Sequence, residues 1–453
     1  MLSTKDNELM CRVGTGTLMG NFLRRFWLPV FPSEDLAGPD CDPREVRLLG
    51  EDLVAFRDTS GRVGLVEALC PHRRAPLFYG RNEEHGLRCI YHGWKFDVEG
   101  RCIDMPTEPA EFNPSAELRT SFQDKVRALS YPTQEAAGIV WAYLGPPDKR
   151  PELPDFEWMR VPAGQRYYIT YNQRCNFVQA MEGDIDPVHG GFLHSSLAGS
   201  REDSIYERIL KAGGIKDDGL VRGKGAIWES KSNYNYVLGD HAPRYTVKDT
   251  DYGIMAAAAH RAEPGNLYWR VYQWLMPYHT MFSSVHGHLW IPVDDENTMV
   301  WCTSWSSDEP IPDAVRWGAL HGEWPHVGTK DPETGLLRAK RENHFYQDKE
   351  WQRSESYTGI RGTREQDTAV VEGMGALLDR SKEHLGTSDT IIIAMRRRLL
   401  NLAKALAKGR EPVAATKSKV YRVRAWAGRV EGDDIDGFLE TPLAKERAVT
   451  VVP

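Results

Sequence analysis

The 453-residue chain has no apolar run approaching the roughly 20 residues that a membrane-spanning helix needs. Its first ten residues, MLSTKDNELM, carry neither a basic cluster nor an apolar stretch. Both absences argue against membrane insertion and export, and the expectation is a cytoplasmic protein. A charge excess is lacking too: 57 Lys and Arg face 64 Asp and Glu, a balance of -7 that gives no reason to expect a nucleic-acid partner. Cysteine is sparse. The seven, at positions 11, 41, 70, 89, 102, 175 and 302, are odd in number and scattered, which excludes a secreted disulfide framework. No strand runs into G-x-G-x-x-G, and Gly14-Thr15-Gly16 is a lone G-x-G, so no dinucleotide-binding fold is expected in this chain. H-E-x-x-H is absent, which removes the zinc-protease reading.

What remains is ordinary globular material, 41% hydrophobic and 27% charged, long enough for two cores. From about Arg44 to Ala142 the chain reads as short strands and turns: REVRLLG, DLVAFRD, the turn Thr59-Ser60-Gly61, RVGLVEAL, then GIVWAYLG. Three prolines and a glycine in Gly145–Pro151 suit a boundary. The expected division is an all-β domain over 25–145 and a larger domain over 150–453. In the second, strand-like LYWRVYQWLM and MVWCTSW alternate with helical segments, so the fold class is α+β, an antiparallel sheet flanked by helices. A long helix is expected near the end: Ser388 or Asp389 can cap it, Ile391, Ile392, Met395, Leu399, Leu402 and Leu406 recur at helical spacing, and Gly409 can stop it.

Two groups of residues carry chemistry. Cys70-Pro71-His72 and Cys89-Ile90-Tyr91-His92 each offer one thiolate and one imidazole, with residues 73 to 88 between them. Zinc and a [2Fe-2S] centre both accept such a set. Structural zinc usually takes like pairs, C-x(2–4)-C or H-x(3–5)-H, whereas each loop here mixes the types, which favours two irons. His85, in the polar run RNEEHG, reads as a solvated side chain. The second group is Asp186, His189 and His194, a D-x-x-H-x(4)-H pattern. Five residues on a helix turn through about 140° away from alignment, so both histidines reach one ion only if the helix breaks between them. Gly190-Gly191 can supply that break. Two histidines and a carboxylate on one face of ferrous iron leave positions open for dioxygen.

The paired loops, including Gly93-Trp94 after the second histidine, resemble the Rieske family, and the segment 176–194, with Asn176, Gln179, Glu182 and Gly183, resembles the α-subunits of Rieske non-heme iron oxygenases of the phthalate dioxygenase type. That resemblance implies Cys70 and Cys89 on the buried iron of a [2Fe-2S] cluster, and His72 and His92 on the outer one. It also implies mononuclear Fe(II) on His189 and His194, with a third ligand from later in the chain. Asp367 is the choice, because YTGIRGTREQD resembles the C-terminal region of that branch and Thr363 with Gln366 forms a candidate capping box. Glu372 and Asp379 are the reserves. Asp186 is expected not to bind metal but to bridge His92 of one subunit to His189 of the next, which implies a head-to-tail ring, a homotrimer. The implied activity is hydroxylation, dihydroxylation or O-demethylation of an aromatic acid or aryl ether by O2, with electrons from a separate flavin and iron-sulfur reductase. A Rieske-type electron carrier without catalysis of its own is the rival reading. Among Arg208, Arg244, Arg261 and Arg270, Arg244 is chosen as the cation for a substrate carboxylate.

Overall fold

The computed structural model describes residues 2–108, 122–197, 236–237, 239–262, 266–283, 286–307, 309–321, 328–431, 434–435 and 437. The chain forms two units: the smaller is Val13–Gly16 with Gly20–Pro151, the larger Met1–Arg12, Thr17–Met19 and Glu152–Pro453. The first dozen residues thus belong with the larger unit, which sequence alone does not suggest.

The smaller unit is all β. Strands β1 (Trp27–Pro32), β9 (Thr133–Ala136) and β10 (Ile139–Tyr143) form one sheet, and β2 (Arg44–Leu48), β3 (Glu51–Arg57) and β4 (Val63–Glu67) a second. The four short strands β5 (Arg81–Glu83), β6 (Gly86–Arg88), β7 (Lys95–Phe96) and β8 (Cys102–Asp104) form a third. Val54, Phe56, Val66, Leu77 and Phe96 pack into one core that also contains Cys70 and Cys89. The two cysteine loops therefore leave a rigid base rather than a mobile surface.

The larger unit is built on an eight-stranded antiparallel sheet. Its strands are β11 (Arg166–Gln173), β12 (Arg244–Asp249), β13 (Gly253–Arg261), β14 (Asn266–Leu275), β15 (His279–Ser283), β16 (His286–Pro292), β17 (Thr298–Trp305) and β18 (Trp426–Glu431). The order is β11-β17-β16-β15-β14-β13-β12, with β18 alongside β14. Strand alternation sends Met255, Ala257, Ala259, Trp269 and Val271 into a core with Trp426. The opposite face receives Arg270, Tyr272, Thr280 and His288.

The helices of this unit include α1 (Thr4–Cys11), α2 (Phe177–Ile185), α3 (Gly190–Leu193), α4 (Thr363–Gly373) and α5 (Thr390–Leu406). Helix α2 lies on that second face, where its Asp184 meets Thr280 and His288. Helix α5 buries Ile391, Ile392, Met395, Leu399 and Leu406 as its periodicity demands, and Gly409, at φ +79°, ends it. Its N-terminus differs from expectation: Asp389 precedes the helix, but its carboxylate accepts from the Gly386 amide at 2.7 Å instead of capping α5.

Helix α2 is fixed along its length by buried polar side chains. The Asn176 carboxamide accepts from Val178 N–H as an N-cap, while its amide group donates to the carbonyls of Cys11 (3.0 Å) and Asp295 (2.8 Å). Gln179 donates to the carbonyl of Gly375 and accepts from Leu378 N–H. Glu182 lies between Arg380 and Arg396, accepting from the latter at 2.6 and 2.9 Å. Burial pushes the Glu182 carboxyl up, yet the two guanidinium groups outweigh it and hold the group below its ordinary value.

Candidate functional site

The first site grows out of two matching turns. Cys70 N–H donates to the Ala75 carbonyl while Arg74 N–H donates to the Cys70 carbonyl, and Cys89 repeats the pattern with Trp94 and Gly93. In each turn the residue four after the cysteine is left-handed, Arg74 at φ 58° and Gly93 at φ 75°. Glycine is needed at 93 for a second reason, because a Cβ there would lie 2.7 Å from Pro106 Cγ. The result is a pair of buried thiols beneath two half-buried imidazoles. The His72 and His92 rings lie 4.6 Å apart, and His72 stacks on Trp94 at 4.1 Å and 9°. Trp94 is itself fixed by a 3.0 Å bond to Thr107 Oγ1. Burial pushes the Cys70 thiol up to about 11, and burial with the neighbouring His92 and Arg73 lowers His72. Two sulfurs and two imidazoles converging from rigid turns are a donor set that suits a [2Fe-2S] centre. His85 is exposed and takes no part.

The second site assembles distant segments. Helix α2 stops at Ile185, and the chain turns at Asp186-Pro187, because the residue before a proline is driven out of helical geometry; Asp186 sits at φ -79°, ψ 116°. The break thus falls before His189. It is not at Gly190-Gly191, which lies inside α3 and continues the turn from a helical His189. His189 and His194 flank that four-residue helix, with ring centroids 5.2 Å apart. Opposite them, Asp367 Oδ1 stands 3.2 Å from His194 Nε2 and 3.7 Å from His189 Nε2. One donor atom from each of the three falls within 4.8 Å of the others.

The surroundings orient these donors. His189 Nδ1 donates to the Asp186 carbonyl at 3.0 Å, and His194 Nδ1 pairs with Gln366 Oε1 at 2.7 Å. Asp367 Oδ2 pairs with Arg364, buried in α4, at 3.0 Å. Burial raises the Asp367 carboxyl, but Arg364 and the two histidines hold it far below the usual carboxylate range. Arg364 also lies 3.7 Å from Asp184, whose carboxylate is held by His288 Nδ1 at 2.8 and 2.9 Å and by the Thr280 hydroxyl. An unbroken series of buried polar contacts therefore runs from the sheet through α2 to α4. Residue spacing gives no sign of it.

Two family models match the chain: a Rieske [2Fe-2S] domain over residues 26–123 and a "LigXa C-terminal domain like" region over residues 223–436. Over 432 residues the chain is 34% identical to the phthalate 4,5-dioxygenase oxygenase subunit of Pseudomonas putida, covering 93% of this chain and 90% of that protein. It is 33% identical over 435 residues to the 3-chlorobenzoate-3,4-dioxygenase oxygenase subunit of Comamonas testosteroni, covering 89% of each. The chain belongs to the Rieske oxygenases. Among solved structures, Pseudomonas putida CBB5 NdmA with caffeine superposes with a TM-score of 0.56 at 17% identity, covering 92% of this chain and 99% of that one, and so shares the fold.

In this Rieske oxygenase the zinc reading of the cysteine loops falls away, and the chain is an oxidoreductase rather than an electron carrier alone. The described residues contain no helix long and apolar enough to cross a membrane. Thr363 and Gln366 do not form the expected capping box: Gly362 precedes α4 without a side-chain cap, and Gln366 turns to His194 instead. The reserve carboxylates are engaged elsewhere. Glu372 accepts from Arg174 N–H, and Asp379 accepts from Ser381 N–H and its hydroxyl. Asp186 Oδ1 accepts from Val188 N–H, leaving Oδ2 3.8 Å from His189 Nδ1. Arg244 is exposed at the first position of β12, Arg261 pairs with Asp240, and Arg208 lies outside the described residues. Arg270 is buried, 5.8 Å from the ring of Phe282 on the sheet face that His288 shares.

Proposed function

We propose that this oxygenase uses a [2Fe-2S] cluster on Cys70, His72, Cys89 and His92 and a mononuclear Fe(II) on His189, His194 and Asp367 to hydroxylate, dihydroxylate or O-demethylate an aromatic acid or aryl ether. The observation that carries this is the meeting of His189, His194 and Asp367 in a chain that also holds the paired cysteine loops. When bound, the cluster supplies electrons one at a time and the ferrous ion supplies a place for dioxygen to be reduced. The chain's own residues then have distinct work. Asp186 O and Gln366 keep the two imidazoles facing Asp367, while Arg364 holds that carboxylate from behind.

Electrons are proposed to come from a separate flavin and iron-sulfur reductase drawing on NAD(P)H. Ile90 and Tyr91, 61% and 54% exposed beside His92 in the single chain, give a neighbouring subunit apolar surface next to the cluster. Within a homotrimer, Asp186 is proposed to join His189 to His92 of a neighbouring subunit, its partly exposed carboxylate serving as the bridge. For a substrate carboxylate, Arg244 is the cation proposed from the sequence, and Arg270 is a second candidate on grounds of burial.

Product analysis with purified protein, an added reductase, NADH and a panel of aromatic acids and aryl ethers tests the proposal. Oxygen from labelled O2 should enter one class of product, and Asp186→Asn should halt product while leaving the cluster spectrum intact. A protein that passes electrons to an acceptor but oxidises no member of the panel, with His189→Ala indistinguishable from the parent, would return the electron-carrier reading. Arg244→Ala and Arg270→Ala should separate on KM: the anchoring arginine raises KM for acids and leaves neutral aryl ethers alone.

A further inference from the structure

An imidazole binds metal through one nitrogen, so the hydrogen bond at the other nitrogen decides which one is available. For His194 that bond is made by Gln366, one residue before Asp367 on α4. An amide can usually be turned over without visible consequence, but here its surroundings decide the matter. The Gln366 NH2 group donates to Thr358 Oγ1 at 3.0 Å and to the Ile360 carbonyl at 2.8 Å. A carbonyl has only lone pairs to offer, so the nitrogen must face Ile360 and Oε1 must face His194. Oε1 in turn can only accept, and His194 Nδ1, 2.7 Å away, must carry the proton. In the neutral imidazole, the form that binds metal, the lone pair is then on Nε2, the atom that faces Asp367.

His189 reaches the same state by a different route, through the backbone carbonyl of Asp186. A backbone carbonyl survives any substitution; a glutamine does not. Gln366 is 1% exposed, so water cannot readily replace it. We infer that Gln366 is the positioning residue of the iron site: clamped by Thr358 and Ile360, it locks His194 in the one tautomer and orientation that presents Nε2 to the metal. This rests on the proposed iron site at His189, His194 and Asp367.

The test uses cluster-loaded protein freed of mononuclear metal by a chelator and titrated with Co(II) by calorimetry, the cluster absorption serving as the measure of intact fold. Gln366→Met keeps the volume and removes the acceptor, and Co(II) affinity should fall by about 10–100-fold. Gln366→Glu restores an acceptor oxygen toward His194 and, with its carboxyl kept protonated by burial beside Asp367, an O–H toward the Ile360 carbonyl, so it should recover part of the affinity lost in Gln366→Met. Thr358→Val removes one clamp and should weaken binding by a smaller factor, which keeps the inference testable if Gln366→Met does not fold. Gln366→Met binding Co(II) within two-fold of the parent, or Gln366→Glu binding as weakly as Gln366→Met, overturns the role of Gln366. A parent protein that takes up no Co(II), and loses none when His189 is replaced, instead overturns the iron site itself.

Discussion

The two sites of this oxygenase are built by opposite means. In the small unit, four donors come from 23 consecutive positions, Cys70 to His92, and backbone turns shape both loops. In the large unit the donors come from two segments, His189 and His194 from one and Asp367, 173 residues after His194, from the other, and side chains do the shaping: Gln366 on His194, Arg364 on Asp367, Asp184 between α2 and the sheet. A site made of local turns is robust to changes elsewhere in the fold. A site made of converging side chains is only as fixed as the buried contacts behind it.

The sharpest test of that contrast is to remove a donor from each. Cys89→Ser should abolish the cluster absorption and turnover together, whereas His194→Ala should abolish turnover and leave the absorption unchanged; loss of the absorption in His194→Ala would break the comparison. Next in size is Glu182→Gln, which leaves Arg380 and Arg396 facing a neutral group and should cost about 3–5 kcal/mol of stability in denaturant titrations. The pH dependence has a definite sign. Because the folded Glu182 carboxyl lies below its ordinary value, its contribution is present above the unfolded pKa of about 4.3 and fades as pH falls through the folded one. The stability of the parent should therefore drop below about pH 4.3, and Glu182→Gln should lack that part of the drop.

Smaller effects should appear in the small unit. Gly93→Ala forces a side chain into a left-handed position and against Pro106, costing about 1–2 kcal/mol from backbone strain with further loss from the contact. Trp94→Phe keeps a ring under His72 but loses the bond to Thr107, and about 0.5–1.5 kcal/mol should go with it, read from thermal release of the cluster. An unchanged release temperature would mean that the stacked ring alone supports the imidazole.

The same contrast explains what can be read from the sequence. The strands REVRLLG, DLVAFRD and GIVWAYLG stand where their β-forming residues and flanking turns place them, and the cysteine loops are legible because ligand spacing within a turn is a property of the local chain. Asp367 is reached only through resemblance to a related segment, since no rule of spacing links position 194 to 367. Gln366 reads wrongly as a cap because a glutamine near a helix start has two uses, and only the fold shows which one is taken. The glycines draw the expected helix break to themselves although Pro187 is the stronger constraint, an error of weighing rather than of missing signal. Arg74 hides its left-handed turn behind a residue type that seldom adopts it, so the likeness of the two cysteine loops does not show in the letters.

Helix α2 carries two inward carboxylates that face different neighbours, Glu182 toward Arg380 and Arg396 and Asp184 toward His288 on the sheet. A rod pinned at two points cannot roll about its own axis. The loop that begins at Asp186 therefore starts from a settled orientation whatever molecule lies in front of it. Substitutions in front of that loop are then free to accumulate, while the proposed iron site at His189, His194 and Asp367 keeps its place.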